Sequence, residues 1–104
     1  MDHGRFADAV ESYRRALAID GSNPDLWTDQ GACFHALGLH DSAIVKFNKA
    51  LDLAPDHAIV HFNMGVVYHA LNNPDKTRQY WNRYLELNPE SPIGDTLKSI
   101  LNSL

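Results

Sequence analysis

The sequence of 104 residues has little of three features that identify common classes of protein. It has one cysteine, Cys33, and therefore neither an internal disulfide framework nor a thiolate cage for a metal. Its 9 Lys and Arg are outnumbered by 13 Asp and Glu, so it lacks the positive charge that follows a phosphate backbone. No run approaches the roughly 18 apolar residues of a membrane span. We therefore expect no nucleic-acid partner and no membrane insertion.

Signatures of catalysis are also missing. The chain has no glycine-rich phosphate loop and no convincing strand, and no Ser/His/Asp or Cys/His pairing can be argued from local spacing. Residues 1–10 lack the apolar centre of a secretory signal, and a single cysteine fits a reducing compartment. We therefore expect a cytoplasmic protein that is not an enzyme and that has no catalytic residue, cofactor or metal.

What the sequence does contain is a repeat of 34 residues. Sliding the chain against itself by 34 positions superposes residues of the same kind in both halves of a repeating unit. The matched sets include Ala9 with Ala43; Tyr13 with Phe47 and Trp81; Leu17 with Leu51 and Leu85; Gly31 with Gly65; Phe34 with Tyr68; and Pro55 with Pro89. The chain is therefore built from repeated structural units.

Each half of the unit has the apolar spacing of a helix. In the first segment, apolar residues fall on one helical face, namely Phe6, Ala9, Val10, Tyr13, Ala16 and Leu17. The pairs Asn23–Pro24, Asn73–Pro74 and Ser91–Pro92 each predict an N-cap followed by proline at the first helical position. Gly38 predicts a left-handed helix end. Alternating helices are therefore expected to pair as hairpins.

Two glycines predict where the helices of a hairpin cross. Gly31 and Gly65 remove a side chain at equivalent positions of the repeat, which allows two helices to approach closely. Ala43 is expected opposite this gap. Larger residues at these positions would push the helices apart.

These residues resemble the tetratricopeptide repeat family. Residues 24–57 resemble one complete repeat, with Gln30 where leucine is usual, through Trp27, Gly31, Phe34, Ala43, Phe47, Ala50 and Pro55. Residues 58–91 resemble a second repeat through Met64, Gly65, Tyr68, Trp81 and Pro89, and depart from the pattern at His61, Thr77 and Tyr84. The resemblance implies an all-α fold, a right-handed superhelix of antiparallel helix hairpins.

The resemblance covers nearly the whole of a single domain, residues 1–104. Residues 4–23 resemble only the second helix of a truncated repeat, and residues 92–104 are expected to form a C-terminal capping helix. The inner stripe of that helix is predicted to be Ile93, Leu97, Ile100, Leu101 and Leu104. Because each repeat buries its apolar face against its neighbours, a chain that opens midway through a repeat is expected to come from a longer array.

Histidines supply the only candidates for a metal site. His57 and His61 are spaced to face one side of a helix, but no third ligand is evident. We interpret His57 as a helix-start residue and His61 as filling a position that the family gives to a bulky aromatic. For His35 and His69, partner contact, metal sharing and a solvated helix face all remain open. Cys33 is interpreted as a buried, inert thiol.

In this family the first helices of successive repeats line a groove that holds a peptide or helix of another protein. The positions carried over to this chain are Asp25, Thr28, Asp29, Ala32, His35, Ile59, Phe62, Asn63, Val66 and His69. Of these, Ile59, Phe62 and Val66 are expected to point away from the hairpin core, as apolar partner sites do. The resemblance therefore implies a protein–protein interaction module that serves as a scaffold or adaptor.

The chemistry of the expected peptide follows from the groove residues. A subset of the family grips a C-terminal carboxylate with Lys, Arg and Asn at set positions, and only Asn63 matches that set here. Asp25 and Asp29 lie near positions where cations would be required, and Ile59 replaces another. We therefore expect a peptide with apolar anchors and a basic residue.

Two alternatives stay open beside this interpretation. The stripe on the first helix, Phe6, Val10, Tyr13 and Leu17, is expected to be only partly covered, so exposed repeat ends would support self-assembly or a homo-dimer. The chain would otherwise be a docking appendage of a larger enzyme whose catalytic domain lies outside these residues. Whether residues 92–104 fold back into the groove is a further open point.

Overall fold

The apolar spacing of the sequence is realised as a stack of helices. The computed structural model describes residues 3–104, and these residues form helices and no strand. The helices are α1 (His3–Ile19), α2 (Pro24–Ala36), α3 (His40–Leu53), α4 (Ala58–Ala70), α5 (Pro74–Leu87) and α6 (Gly94–Ser103). Each helix packs against the next along the chain, and α2 also packs against α4. The prediction of an all-α helical repeat fold is confirmed.

The stack is elongated. Its Cα radius of gyration is 13.9 Å and its extents are 41 × 28 × 22 Å, whereas a compact domain of this size has a radius of gyration of about 13 Å. Helices two places apart meet only through α2 and α4: over their described lengths, α1 and α3 have no Cα atoms within 8 Å of each other. Helix α2 therefore packs against both α1 and α3, which do not approach each other as closely.

Two of the three predicted N-caps are confirmed. The side chain of Asn23 accepts a hydrogen bond from the backbone N–H of Asp25 at 2.9 Å, and that of Asn73 accepts one from Lys76 at 3.1 Å. A proline follows each asparagine at the start of α2 and of α5. These caps satisfy N–H groups that lack a partner within the helix.

The third predicted cap, at Ser91, is wrong. Helix α6 begins at Gly94, because residues 92–93 form a turn in which the backbone N–H of Ile93 donates to the hydroxyl of Ser91 at 3.3 Å. Ile93 is therefore outside the helix and 38% exposed, so it does not belong to the inner stripe. Leu97, which does, is buried.

The expected close crossings occur at both glycines. A Cβ atom on Gly31 would lie 2.6 Å from the ring of Phe47, and one on Gly65 would overlap the ring of Trp81. The gap is thus filled by an aromatic ring from the second helix of the hairpin. The ring is the physical reason for the glycine, because flat aromatic faces need the space of the missing side chain.

Left-handed backbone ends the first helix of each hairpin. Gly38 has φ +77°, as predicted. Asn72, which is 34 positions later, has φ 55°. Asparagine tolerates this conformation better than most residues, so the two turns have the same backbone conformation although the residues differ.

The core consists of two clusters. The first is built on buried residues of α3 and α4, namely Ala43, Phe47, Ala50, Val60, Met64 and Val67. The second joins Trp81 and Tyr84 of α5 to Leu97 of α6. Thr77 is fully buried where the family pattern has alanine, and its hydroxyl donates to the carbonyl of Asn73 at 2.8 Å.

Candidate partner-binding surface

Charge is divided sharply among the helices. Neither α2 nor α4 carries a lysine or arginine, and all such residues except Lys98 of α6 lie on α1, α3 and α5. The two carboxylates of α2 are Asp25 and Asp29, and α4 has none. The adjacent helices α2 and α4 therefore present a surface without fixed cations, acidic at α2 and apolar at α4.

The predicted groove residues differ in their exposure. The residues that remain exposed are Asp25, Asp29, Ala32, Ile59 and His69. Those that are half-buried are His35, Phe62, Asn63 and Val66. Thr28 is the exception and corrects the prediction, because it is 4% exposed and its hydroxyl donates to the carbonyl of Pro24 at 2.8 Å. Thr28 is therefore turned onto its own helix and has no surface to offer a partner.

The acidic part of this surface bridges two helices. Oδ1 of Asp25 on α2 lies 2.7 Å from Nε2 of His57, the N-cap residue of α4. Asp29, one turn further along, has no cation within ion-pair distance in the described part of the chain. Partial burial, and then the charge of Asp25, raise the pKa of Asp29 above its ordinary value. The negative charge of Asp29 is thus not balanced by a nearby cation.

The apolar part of the surface is less open than the sequence suggested. The ring centroid of Phe62 lies 5.4 Å from that of Tyr84 and 6.4 Å from that of Trp81, so Phe62 leans on the hairpin core. Val66 packs against the same cluster. The expectation that these two side chains point away from the core is wrong in part. Ile59, which is 51% exposed, is the apolar side chain that projects into solvent.

Helix α6 borders this surface without filling it. It packs along α5, where the side chain of Arg78 donates to the carbonyl of Leu104 at 2.8 Å. Leu104 and His69 line one hollow of about 220 Å³ at the end of α4. Leu97 closes the cluster that contains Phe62. Ile59, near the start of α4, is 51% exposed and is therefore not covered by α6.

The histidines have partners of different kinds. Nε2 of His57 faces Asp25, whereas Nε2 of His61 lies 2.8 Å from the carbonyl of Pro55, so the two rings do not share a site. His61 is 9% exposed and its ring centroid lies 5.9 Å from that of Tyr80, which agrees with its interpretation as a core residue. Within residues 3–104, no group of three His, Cys, Asp or Glu is placed to hold a metal ion.

A second pair of histidines was not predicted. Nδ1 of His35 lies 3.2 Å from Nδ1 of His40 at the start of α3. Burial, and then the proximity of His40, lower the pKa of His35 below its ordinary value. The ring of His69 instead lies 5.5 Å from that of Trp81. His35 and His69, although equivalent in the repeat, therefore have different surroundings.

Cys33 is less buried than predicted, although its surroundings favour the unreactive thiol. It is half-buried on α2, and burial followed by the charge of Asp29 raises its pKa above the ordinary value. A raised pKa disfavours the thiolate, which is the nucleophilic form.

No helix in the described part of the chain combines the length and apolar character that crossing a membrane requires.

Family models and curated proteins match the sequence. Two models described as tetratricopeptide repeat match residues 1–58 and 34–101. Superkiller protein 3 of Saccharomyces cerevisiae is 30% identical over 56 residues, which are 54% of this chain and 4% of that protein. The chain spans a tenth or less of the length of the curated relatives it matches.

Solved structures share the fold at low sequence identity. The second repeat domain of human RPAP3, solved with an HSP70 peptide, has a TM-score of 0.84 and 21% identity, and the match covers 95% of this chain and 82% of that one. The Yersinia enterocolitica secretion chaperone SycD, solved with a peptide of the translocator YopD, has a TM-score of 0.88 and 17% identity, covering 96% and 79%. SycD has also been solved as an alternative dimer. At these identities the likeness establishes the fold alone.

Proposed function

This chain belongs to the tetratricopeptide repeat family, and we propose that it is a protein–protein interaction module that binds a peptide or helix of a partner. The binding surface is the face presented by α2 and α4, and the chain acts there as a scaffold or adaptor. The observation that carries this proposal is the combination of an exposed Ile59 with an uncompensated carboxylate on the neighbouring helix. Neighbours of the same fold were solved with partner peptides, which supports this mode of action.

The peptide that suits this surface has an apolar anchor and a basic residue. The apolar side chain would contact Ile59, and the cation would lie at Asp29, where it offsets a charge that the protein leaves unpaired. The HSP70 peptide bound by RPAP3 ends in Glu-Glu-Val-Asp. An acidic tail of that kind would meet carboxylates and no lysine or arginine on α2 or α4, so this chain is expected to select against it.

The raised pKa of Asp29 gives the interaction a pH dependence. A cationic partner stabilises the charged carboxylate, and protonation removes the attraction. Affinity for a basic peptide is therefore expected to fall as the pH is lowered through the raised pKa of Asp29, which lies above its ordinary value of 3.8. Asp29→Asn should remove this dependence while the fold is retained.

A matched pair of isoleucines tests the surface. Peptides that contain one arginine and two leucines are titrated into the protein, and Ile59→Asp is compared with Ile19→Asp. Ile19 is 88% exposed at the end of α1, so the same substitution there controls for a general effect of charge and hydrophobicity. We expect Ile59→Asp to lower the affinity about tenfold or more, as loss of a central apolar contact does, and Ile19→Asp to leave it unchanged. Equal effects of the two substitutions would contradict the proposal.

Self-association through α1 is the second candidate function. Phe6, Val10 and Tyr13 of α1 are half-buried, whereas Phe47, which is equivalent to Tyr13, is 1% exposed. Leu17 is buried, so the prediction that it is only partly covered is wrong. A second copy that covered this stripe would complete its burial. Sedimentation velocity tests the idea at protein concentrations of about 1 to 100 µM, a range in which transient dimers form. A concentration-dependent dimer that Phe6→Glu abolishes supports it, and a monomer throughout removes it.

A further inference from the structure

The two histidines at the turn between α2 and α3 have the spacing of two ligands of one metal ion. Nδ1 of His35 lies 3.2 Å from Nδ1 of His40, and the two ring centroids are 5.1 Å apart. Two imidazole nitrogens bound to a tetrahedral Zn²⁺ at about 2.0–2.1 Å lie about 3.3 Å apart, with their ring centres about 5.2 Å apart. A straight hydrogen bond between the same nitrogens would separate the ring centres by about 5.5 Å. The observed spacing is therefore close to that of a two-ligand metal site.

The backbone between the two histidines is held by its own hydrogen bonds. The N–H of Gly38 donates to the carbonyl of His35 at 2.9 Å, and the N–H of Leu39 donates to that of Phe34 at 2.9 Å. His40 is the first residue of α3, and His35 lies in the last turn of α2, so both rings project from helices. Ligands on regular elements keep their geometry better than ligands on loops. The two nitrogens are therefore positioned before an ion arrives.

The second hairpin shows that the fold does not require this pair. The residues 34 positions after His35 and His40 are His69 and Pro74. Proline is favoured at the first helical position, so a histidine is not needed there to begin a helix. The ring of His69 instead lies beside that of Trp81, with 5.5 Å between the ring centroids. The pair is thus a feature of the first hairpin, and His69 provides an internal control.

The charge and the protonation of this region favour a metal cation. Residues 16–45 contain four aspartates and no lysine or arginine, and one of these aspartates, Asp41, directly follows His40. Burial, and then the proximity of His40, hold the pKa of His35 below its ordinary value. The neutral imidazole that results is the form that binds metal ions.

We propose that His35 and His40 bind a zinc ion through their Nδ1 atoms and so join the end of α2 to the start of α3. Imidazole nitrogen is a ligand that suits zinc. No third His, Cys, Asp or Glu among residues 3–104 completes the site, so water fills the other positions of the ion. The site departs from the sequence-based expectation of no metal, which considered other pairs of histidines.

The test titrates Zn²⁺ alone into the full chain with ¹⁵N-labelled histidine side chains, after a chelator has removed any bound metal. Long-range ¹H–¹⁵N spectra distinguish Nδ1 from Nε2 in each ring. We expect Nδ1 of His35 and Nδ1 of His40 to shift together as one ion binds to each chain. Their Nε2 atoms should remain protonated.

Matched substitutions separate the site from weak binding by single histidines. His35→Gln and His40→Gln are each expected to weaken zinc binding about tenfold or more, because each ring holds the other's ion at a high effective concentration. His57→Gln and His69→Gln remove the same functional group elsewhere, and they should leave zinc binding unchanged. Nε2 of His57 already lies 2.7 Å from Oδ1 of Asp25.

A zinc ion that bridges two helices also stabilises the folded chain. We expect saturating Zn²⁺ to raise the midpoint of thermal unfolding by about 4 °C in the unmodified chain and in His69→Gln. The midpoint of His40→Gln should not rise. Addition of EDTA should reverse the increase.

Three results would each overturn this assignment. They are the absence of a shift at either Nδ1 with about 1 mM Zn²⁺, shifts confined to Nε2 atoms or to other histidines, and equal losses of zinc affinity in His57→Gln and His35→Gln. The test uses the metal without any peptide. This inference and the proposed binding of basic peptides by the surface of α2 and α4 therefore fail separately.

Discussion

The two hairpins, α2–α3 and α4–α5, use the same crossing to support different surfaces. In each, a glycine on the first helix admits an aromatic ring of the second, Gly31 with Phe47 and Gly65 with Trp81. In the first hairpin α2 carries two carboxylates and a buried amide, Gln30, whereas its counterpart α4 in the second has neither Lys, Arg, Asp nor Glu. The glycine and the aromatic residue thus specify the geometry of the hairpin. The other positions can therefore differ between the hairpins and form different surfaces.

The largest effect on stability is expected from substitutions at Gln30 and Met64, which occupy equivalent positions in the two hairpins. Met64 is fully buried, so Met64→Gln places an amide in an apolar core and is expected to lower the free energy of unfolding by about 3 kcal/mol. Gln30→Leu removes an unpartnered acceptor and is expected to raise it by about 1 kcal/mol. Urea denaturation measures both. Losses of similar size for the two variants would show that Gln30 is as well accommodated as Met64.

Adding a methyl group at each crossing glycine sharpens the comparison. Gly31→Ala and Gly65→Ala both force an aromatic ring to move and are expected to cost about 1–3 kcal/mol, partly offset by the better helix propensity of alanine. The larger cost is expected at Gly65, because the Trp81 ring is also held by a 3.0 Å hydrogen bond to the carbonyl of Phe62. Gly94→Ala is the control, since its Cβ would lie 3.7 Å from Leu85. Thermal unfolding that ranks Gly94→Ala with the other two would contradict this account.

The hydroxyl of Tyr84 distinguishes the second hairpin from the first, which has Ala50 at that position. It lies 2.6 Å from the hydroxyl of Ser91 in the turn before α6. Tyr84→Phe is expected to destabilise the chain by about 1 kcal/mol, the net value of one hydrogen bond. In a double-mutant cycle, Ser91→Ala should add little to Tyr84→Phe if the bond is real. Additive losses would mean that the two hydroxyls stabilise the fold separately.

The smallest expected effect is that of pH on His35, whose ring lies beside that of His40. Because the pKa of His35 is lower in the folded chain than its ordinary value of 6.5, the unfolded chain takes up the proton first as the pH falls. The contribution of neutral His35 to stability is therefore complete above pH 6.5 and declines below it. His35→Gln should flatten stability between pH 7 and pH 5 relative to the unmodified chain. An unchanged slope would mean that other groups cause the decline.

The fold was predictable because its determinants are local and repeated. The 34-residue period, the Asn–Pro caps and Gly38 each specify backbone over a few residues, and all are confirmed. The start of α6 was not predictable from Ser91–Pro92, because the hydroxyl of Ser91 bonds within a turn and to Tyr84 of the preceding helix. A local cap signature carries no information on such a competing partner.

The binding surface was predictable only in outline. The helices that carry it follow from the repeat, but the burial of Thr28 and the contact of Phe62 with Tyr84 depend on rotamers and on packing across the hairpin. The pairing of Asp25 with His57 spans 32 positions and has no sequence signal other than the repeat length. Gln30 did carry a signal, as a polar residue where leucine is usual, and only the structure shows that its acceptor is unpartnered.

The most direct test of the central claim is an NMR titration of the labelled chain with a peptide of two leucines and one arginine. The account predicts amide shifts concentrated on the exposed and half-buried residues of α2 and α4, among them Asp29, Ile59 and His69. The same peptide with glutamate in place of arginine should shift these amides less. Shifts confined to Phe6–Leu17, or dependent only on protein concentration, would contradict the account and identify α1 as the functional surface.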